Sequence, residues 1–171
     1  MIYEIRTFGD EALRDEAQRV EKIDEEIASV VEKMVETMKF AEGVGLAAPQ
    51  VGINKRILVI DAGDGITRRV INPEFLEYSH EIVEREEGCL SIPGVYKKVK
   101  RPARVKVKYT NEKGVEVVEE ADGLLARIFQ HEVDHLNSIL FVDKLSPVAK
   151  RMVARKLQIL KKETLRKKKS R

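Results

Sequence analysis

Apolar residues recur along this chain with two different periods, and the changes of period divide it into parts. After Asp24, the residues Ile27, Val30, Val31, Met34, Val35 and Met38 repeat every three or four positions until Gly43, which predicts an amphipathic helix. The middle of the chain breaks that rhythm. The segments RILVID (56–61), RVI (69–71), EIVE (81–84), ARVKVKYT (103–110) and VEVVEE (115–120) are short, β-branched and partly alternating, which predicts strands. The last two flank Asn111-Glu112-Lys113-Gly114, whose glycine suits a hairpin turn. Helical spacing returns at Asp122 in DGLLARIFQHEVDHLNS, ending near Asn137. It returns again after Ser146-Pro147, a cap followed by proline at the first helical position. There Met152, Val153, Leu157, Leu160 and Leu165 predict a helix over 147–164, with KKKSR fraying from its end. Helix, strands, helix, helix is the order of an α+β fold, with mostly antiparallel β-sheets packed around a central helix and further helices at the N- and C-terminal ends. No repeat, low-complexity linker or domain boundary interrupts residues 1–171, so a single domain is expected.

Composition narrows the classes. With 171 residues, 43% apolar and 36% charged, the chain is neither disordered nor long enough to suggest two domains. A net charge of +3 proposes no nucleic-acid or acidic partner, but it conceals an asymmetry. Lys150 to Arg171 holds eleven Lys/Arg and one acid, which makes that segment +10 and leaves −7 for the rest. The longest charge-free run is the twelve residues 43–54, well short of the roughly 20 apolar residues of a membrane span. The opening MIYEIRTFGDEALRDE has acids where a secretion signal needs an apolar stretch. The lone cysteine closes no intramolecular disulfide, so a reducing, cytoplasmic location is expected.

The sharpest chemical feature is His131-Glu132-Val133-Asp134-His135 within a predicted helix. Residues four apart share one helix face, so the two imidazoles can reach one metal ion, and Glu132 can take a proton from a water beside it. A charged helix face with incidental histidines has the same pattern, but this chain has only three histidines and spends two here. A hydrolytic metal site needs a third protein ligand and an open position. Downstream of His135 there is no further His, and the only acids are Asp143 and Glu163, so a zinc endopeptidase reading lacks its ligand. A purely structural metal in a nucleic-acid-binding module would normally want four protein ligands, and only three are available. Cys89, in Glu87-Gly88-Cys89-Leu90-Ser91, is the available third donor. Taken alone, a single Cys reads more often as a small buried hydrophobe. A third segment, Gly43 to Gly52, combines small residues that let a backbone approach a ligand with Gln50, an amide donor. By itself it is equally a glycine-rich helix stop, and it lacks the lysine of a phosphate loop.

Taken in order, these segments read GxGxAAxQ at Gly43 to Gln50, EGCxS at Glu87 to Ser91 and HExDH at His131 to His135. The sequence resembles the peptide deformylases, whose three motifs these are, over essentially its whole length. That resemblance implies a central metal-binding helix on which His131 and His135, with Cys89, hold one divalent ion, Fe²⁺ physiologically, with Ni²⁺ or Zn²⁺ also accepted. The donor set suits late first-row metals. The implied reaction removes formate from the N-formyl-methionine of newly synthesised chains. By the same resemblance Glu132 receives a proton from the attacking water, and Gln50 and the Leu90 backbone N–H meet the developing oxyanion. Glu132 then passes the proton to the departing amine. Val44, Leu124, Ile128 and the His131 ring are implied to form the methionine pocket, with Gly45 and Gly88 lending backbone groups to the peptide.

This chain departs from the pattern at three positions. Arg85 and Arg127 stand where well-known members have aliphatic pocket residues, so they either turn outward or narrow the site. Tyr96 stands where some members have an arginine that meets the peptide. Glu87 and Asp134 are expected to pair with Arg101 and orient the site, and His80 is expected at the surface. The basic C-terminal helix reads equally as a solvated face with its apolar stripe packed on the domain or, by resemblance to members whose C-terminal helix docks near the ribosomal exit, as a contact for RNA phosphates. No membrane and no specific DNA partner is expected.

Overall fold

The computed structural model describes residues 1–170. Three helices and seven strands appear in the order α1 (Glu25–Phe40), β1 (Gly45–Ala47), β2 (Ile57–Asp61), β3 (Thr67–Tyr78), β4 (Ile82–Cys89), β5 (Ile92–Pro102), β6 (Arg104–Thr110), β7 (Glu116–Asp122), α2 (Gly123–Leu136) and α3 (Pro147–Lys169). All paired strands run antiparallel. They form a five-stranded sheet in the order β1-β2-β3-β6-β7 and a separate β4-β5 hairpin, so the fold is α+β.

The unbroken apolar run of β2 is explained by what covers it. Ile57 and Val59 face Val31, Met34, Val35 and Met38 of α1, while Leu58 and Ile60 face Phe129, Val133 and Leu136 of α2. A strand covered on both faces has no polar side to alternate with. The hairpin has its own apolar cluster, in which Ile92, Val95 and Val99 of β5 pack with Phe141, Val142, Leu145 and Val153.

Side-chain caps start two of the three helices, the one at Ser146 as its sequence predicts. The Asp24 carboxylate accepts from Ile27 N–H at 2.9 Å, and the Ser146 hydroxyl accepts from Ala149 N–H at 3.2 Å. Asp122 precedes α2 without a capping bond from its side chain. The Asn111 side chain accepts from Lys113 and Val115 N–H across the β6-β7 turn, and Gly114 there has φ +79°.

Several expectations change. The α3 helix does not end at 164 but continues to Lys169, where Lys168 pairs with Glu11 at 3.0 Å, so Lys167 to Lys169 of KKKSR are helical; Arg171 lies outside the described residues. The segment 69–71 is only an early part of a twelve-residue strand, because β3 continues past Asn72-Pro73 through shifts in its register with β6. The third change is β5, which the pattern did not predict as a strand. Pro93, Gly94 and a run of lysines hide its pairing with β4, in which Glu86 faces Lys98 and Glu87 faces Lys97.

Phe129 is fully buried in the cluster that seats α2 on the sheet. Phe129→Ala is expected to cost about 3–5 kcal/mol, to be read by urea unfolding at fixed metal content.

Candidate metal centre and active-site cleft

Three chain segments converge because glycines let them. A Cβ on Gly45 of β1 would stand 2.7 Å from Glu132 Oε2 and 2.9 Å from Ile128 Cγ2, so a bare backbone is what allows β1 to lie against α2. A Cβ on Gly43 would stand 2.6 Å from Leu90 Cδ1, and one on Gly88 would meet the Tyr96 ring at 2.5 Å. Each glycine of the first two motifs thus faces a residue from another part of the site.

At the convergence, Cys89 Sγ and one ring nitrogen each of His131 and His135 all lie within 4.8 Å of one another. Cys89 comes from the end of β4 and the two histidines from successive turns of α2. Cys89 Sγ lies 3.4 Å from His135 Nε2. His131 turns Nδ1 to Glu87 Oε1 at 2.8 Å, which leaves Nε2 toward the cluster. The His131 ring also stacks on Phe141, with centroids 5.9 Å apart. Packing and a hydrogen bond therefore both fix its orientation.

Gln50 is oriented in the same way. Its Oε1 accepts from Ala47 N–H at 2.9 Å, so its Nε2 must point the other way, to Ser91 Oγ at 3.1 Å and Cys89 Sγ at 3.5 Å. Ser91, fully buried, carries no functional signal from the sequence beyond its place in the motif.

The cluster opens into a cleft of about 420 Å³. Gly45, Gln50, Gly88, Leu90, Ile128 and Glu132 line it, together with Cys89, His131 and Glu87. Val44 and Leu124 also line it but are 48% and 55% exposed, so they form its rim, whereas Ile128 at 4% is interior. Tyr96, 61% exposed, covers Gly88 at the mouth.

Arg85 is exposed on β4 and does not line the cleft; Arg127 does, but its charge neither turns to solvent nor blocks the opening. The Arg127 guanidinium bonds Glu87 and the carbonyls of Val83 and Val99. Arg101 binds Glu87 through two nitrogens at 2.5 and 2.9 Å and Asp134 at 2.9 Å. His80 is exposed, between β3 and β4. The sequence signal that could have revealed the partnership of Arg127 is its position four residues before His131, on the same helix face.

The electrostatics follow from burial and partners. Burial pushes Glu87 up, but His131 and Arg101 outweigh it and hold the carboxyl at about 2. Burial raises Glu132 to about 7, with Glu87 and Asp134 adding to the rise and His131 and Arg101 opposing it. A carboxyl near neutrality can both take and give a proton. Burial, reinforced by His131 and Arg101, holds His135 well below its usual range, so it stays neutral, as a metal donor must. Burial opposes charge on His131, yet Cys89, Glu132 and Glu87 raise it well above the usual range. A cation binding there must displace that proton.

These residues fit a divalent metal. A sulfur and two imidazoles converge on one point, and Oε1 of the buried Glu132 beside them has no hydrogen-bond partner among the described residues. The donors are those of late first-row metals rather than Mg²⁺ or Ca²⁺.

Comparison with known proteins agrees with this geometry. Residues 2–151 match the family described as Polypeptide deformylase. The peptide deformylase of Fusobacterium nucleatum is 52% identical over 168 residues, covering 97% of each chain. That of Thermotoga maritima is 52% identical over 155 residues, covering 91% of this chain and 93% of the relative. Among solved structures, peptide deformylase from Thermus thermophilus superposes with a TM-score of 0.90 at 40% identity, covering 95% of this chain and 99% of the other. The Thermotoga maritima structure gives 0.83 at 51% identity, covering 86% and 99%. The converging motifs, the fold and the sequence identity lead to one conclusion: this chain belongs to the peptide deformylase family.

Proposed function

We propose that the cleft carries out the family's reaction, hydrolysis of the N-formyl group of formyl-methionyl nascent peptides, with Cys89, His131 and His135 holding one divalent metal ion and Glu132 moving the proton. The observation that carries the residue roles is the three-donor cluster beside a buried carboxylate oxygen that has no partner among the described residues. Fe²⁺ is the ion proposed in the cell, with Ni²⁺ or Zn²⁺ accepted in its place. Bound there, the ion supplies a Lewis acid and lowers the pKa of a water from 15.7 toward about 7.

The chain's own groups do the rest. Glu132 accepts the proton of the attacking water as the water's oxygen bonds to the formyl carbon. Gln50 Nε2, aimed by the bond that Ala47 N–H gives to Oε1, donates to the carbonyl oxygen as it gains charge, and the Leu90 backbone N–H assists. Glu132 returns the proton to the departing amine, so the C–N bond breaks to give formate and a free methionyl terminus. Ile128 and the His131 ring form the interior of the methionine pocket, and Val44 and Leu124 form its rim. Gly45 and Gly88 expose backbone groups to the peptide beyond it. Glu87, Arg101 and Asp134 orient the histidine ligand.

The α3 helix is the proposed ribosome contact. Arg151, Arg155, Lys162 and Arg166 are exposed and fall on one helix face, an array suited to RNA phosphates. No described helix is long and apolar enough to cross a membrane. A cytoplasmic location is proposed because oxidation of Cys89 or Fe²⁺ would stop the reaction.

Glu132→Ala is expected to retain metal and lose on the order of 10²- to 10⁴-fold in formate release from a formyl-Met peptide. Cys89→Ser, measured beside it, is expected to lose the metal itself; normal metal content in that variant would remove Cys89 from the ligand set. Gln50→Ala should lower kcat by on the order of 10²- to 10³-fold in steady-state kinetics. Co-sedimentation with ribosomes should weaken as salt rises, and reversing Arg155 and Lys162 to Glu should flatten that dependence.

A further inference from the structure

Among the described residues, Arg127 of α2 hydrogen-bonds both strands of the hairpin carrying Cys89. Its Nη1 donates to Glu87 Oε2 at 2.5 Å and to the Val99 carbonyl at 2.9 Å, and its Nη2 donates to the Val83 carbonyl at 2.8 Å. Val83 and Glu87 belong to β4 and Val99 to β5, so one guanidinium fastens α2 to both strands. Arg101 makes the reciprocal connection, from β5 to Glu87 of β4 and Asp134 of α2. Between them Glu87 is held on two sides while its Oε1 accepts from or shares a proton with His131 Nδ1. The Arg127 side chain is 11% exposed, with its stem on the cleft wall beside Ile128 and its charge used up within the protein.

We propose that Arg127 is a positioning residue of the metal centre: by clamping Glu87 and tying the β4-β5 hairpin to α2, it fixes the spacing between Cys89 on one element and His131 and His135 on the other. The proposal rests on the reading of those three residues as ligands. A planar fork is required for it. Only a guanidinium presents parallel donors that can satisfy a carboxylate and two carbonyls from one side chain. A lysine at 127 keeps the charge but meets these acceptors with a single nitrogen, and a methionine keeps the stem and loses every bond.

The test uses Co²⁺-loaded full-length protein, whose thiolate-to-metal charge-transfer and d–d absorption bands report ligand geometry, together with the rate of Co²⁺ release to a chelator. For Arg127→Met, altered bands and release at least ~10-fold faster are expected, the usual cost of losing a partner that orients a ligand. The kcat for a formyl-Met peptide should fall with KM changed less than about threefold. Arg127→Lys, the gentler variant, should show a release rate between those of wild type and Arg127→Met. In a Glu87→Gln background, Arg127→Met should add less to the release rate than it does alone, because the two act as one unit. A wild-type spectrum and release rate in either single variant overturns the proposal, as does an undiminished effect in the Glu87→Gln background. A wild-type protein that shows no thiolate band with Co²⁺ would instead overturn the ligand set, before Arg127 is in question.

Discussion

The Glu87 carboxylate is the joint on which the site depends. It stands on β4 two residues before Cys89, and it binds a guanidinium from β5, a guanidinium from α2 and the imidazole of His131. The hairpin is a separate sheet that shares no strand pairing with the five-stranded one. Its own apolar cluster joins it to the C-terminal segment, so contact with the face of α2 that bears His131 is largely polar. A buried carboxylate with one counter-charge is costly, whereas one with fully matched donors is geometrically demanding and so permits few arrangements. By these bonds β4, which carries Cys89, is tied to α2, which carries the histidines.

Glu132 is the counterpart of Glu87, and the two neighbouring carboxylates are driven to opposite behaviour by their surroundings. Glu87 is saturated with donors and held at about 2, while Glu132, more deeply enclosed, has an oxygen with no partner among the described residues and is raised to about 7 by its burial. Separating two carboxylates in this way is the general means by which one is kept as a fixed charge and the other as a proton carrier. Gly45 contributes directly, because its missing side chain brings the β1 backbone against Glu132 and excludes solvent from that side.

Much of this was legible in the sequence. The α1 and α2 helices, the β6-β7 turn and the cap at Ser146 follow local periodicity and turn chemistry, which act over a few residues. The β5 strand was not legible, because Pro93, Gly94 and its lysines are poor strand formers and its pairing comes from the acidic strand opposite. The extra length of α3 was hidden by its basic end, which is held by acids from the start of the chain, Glu4 and Glu11. Arg85 and Arg127 looked alike as departures from an aliphatic pattern. One is exposed and the other half-buried against Glu87, and the packing of α2 on the β4-β5 hairpin decides between them.

The sequence by itself determined the donors: a thiol, two imidazoles four residues apart on a helix, a carboxylate beside them and an amide. These are residue types and local spacings that each left another reading open, and their order along the chain, matching the three peptide deformylase motifs, is what singled them out. The tertiary structure decided how the donors are held. It oriented Gln50 through Ala47 and His131 through Glu87 and Phe141, placed Val44 and Leu124 at the rim with Ile128 inside, and turned Arg127 from a substituent of the pocket into a tether. Those outcomes come from contacts between elements distant in the chain, where close approach at glycines and the compensation of buried charge fix the geometry, and neither leaves a period in the sequence.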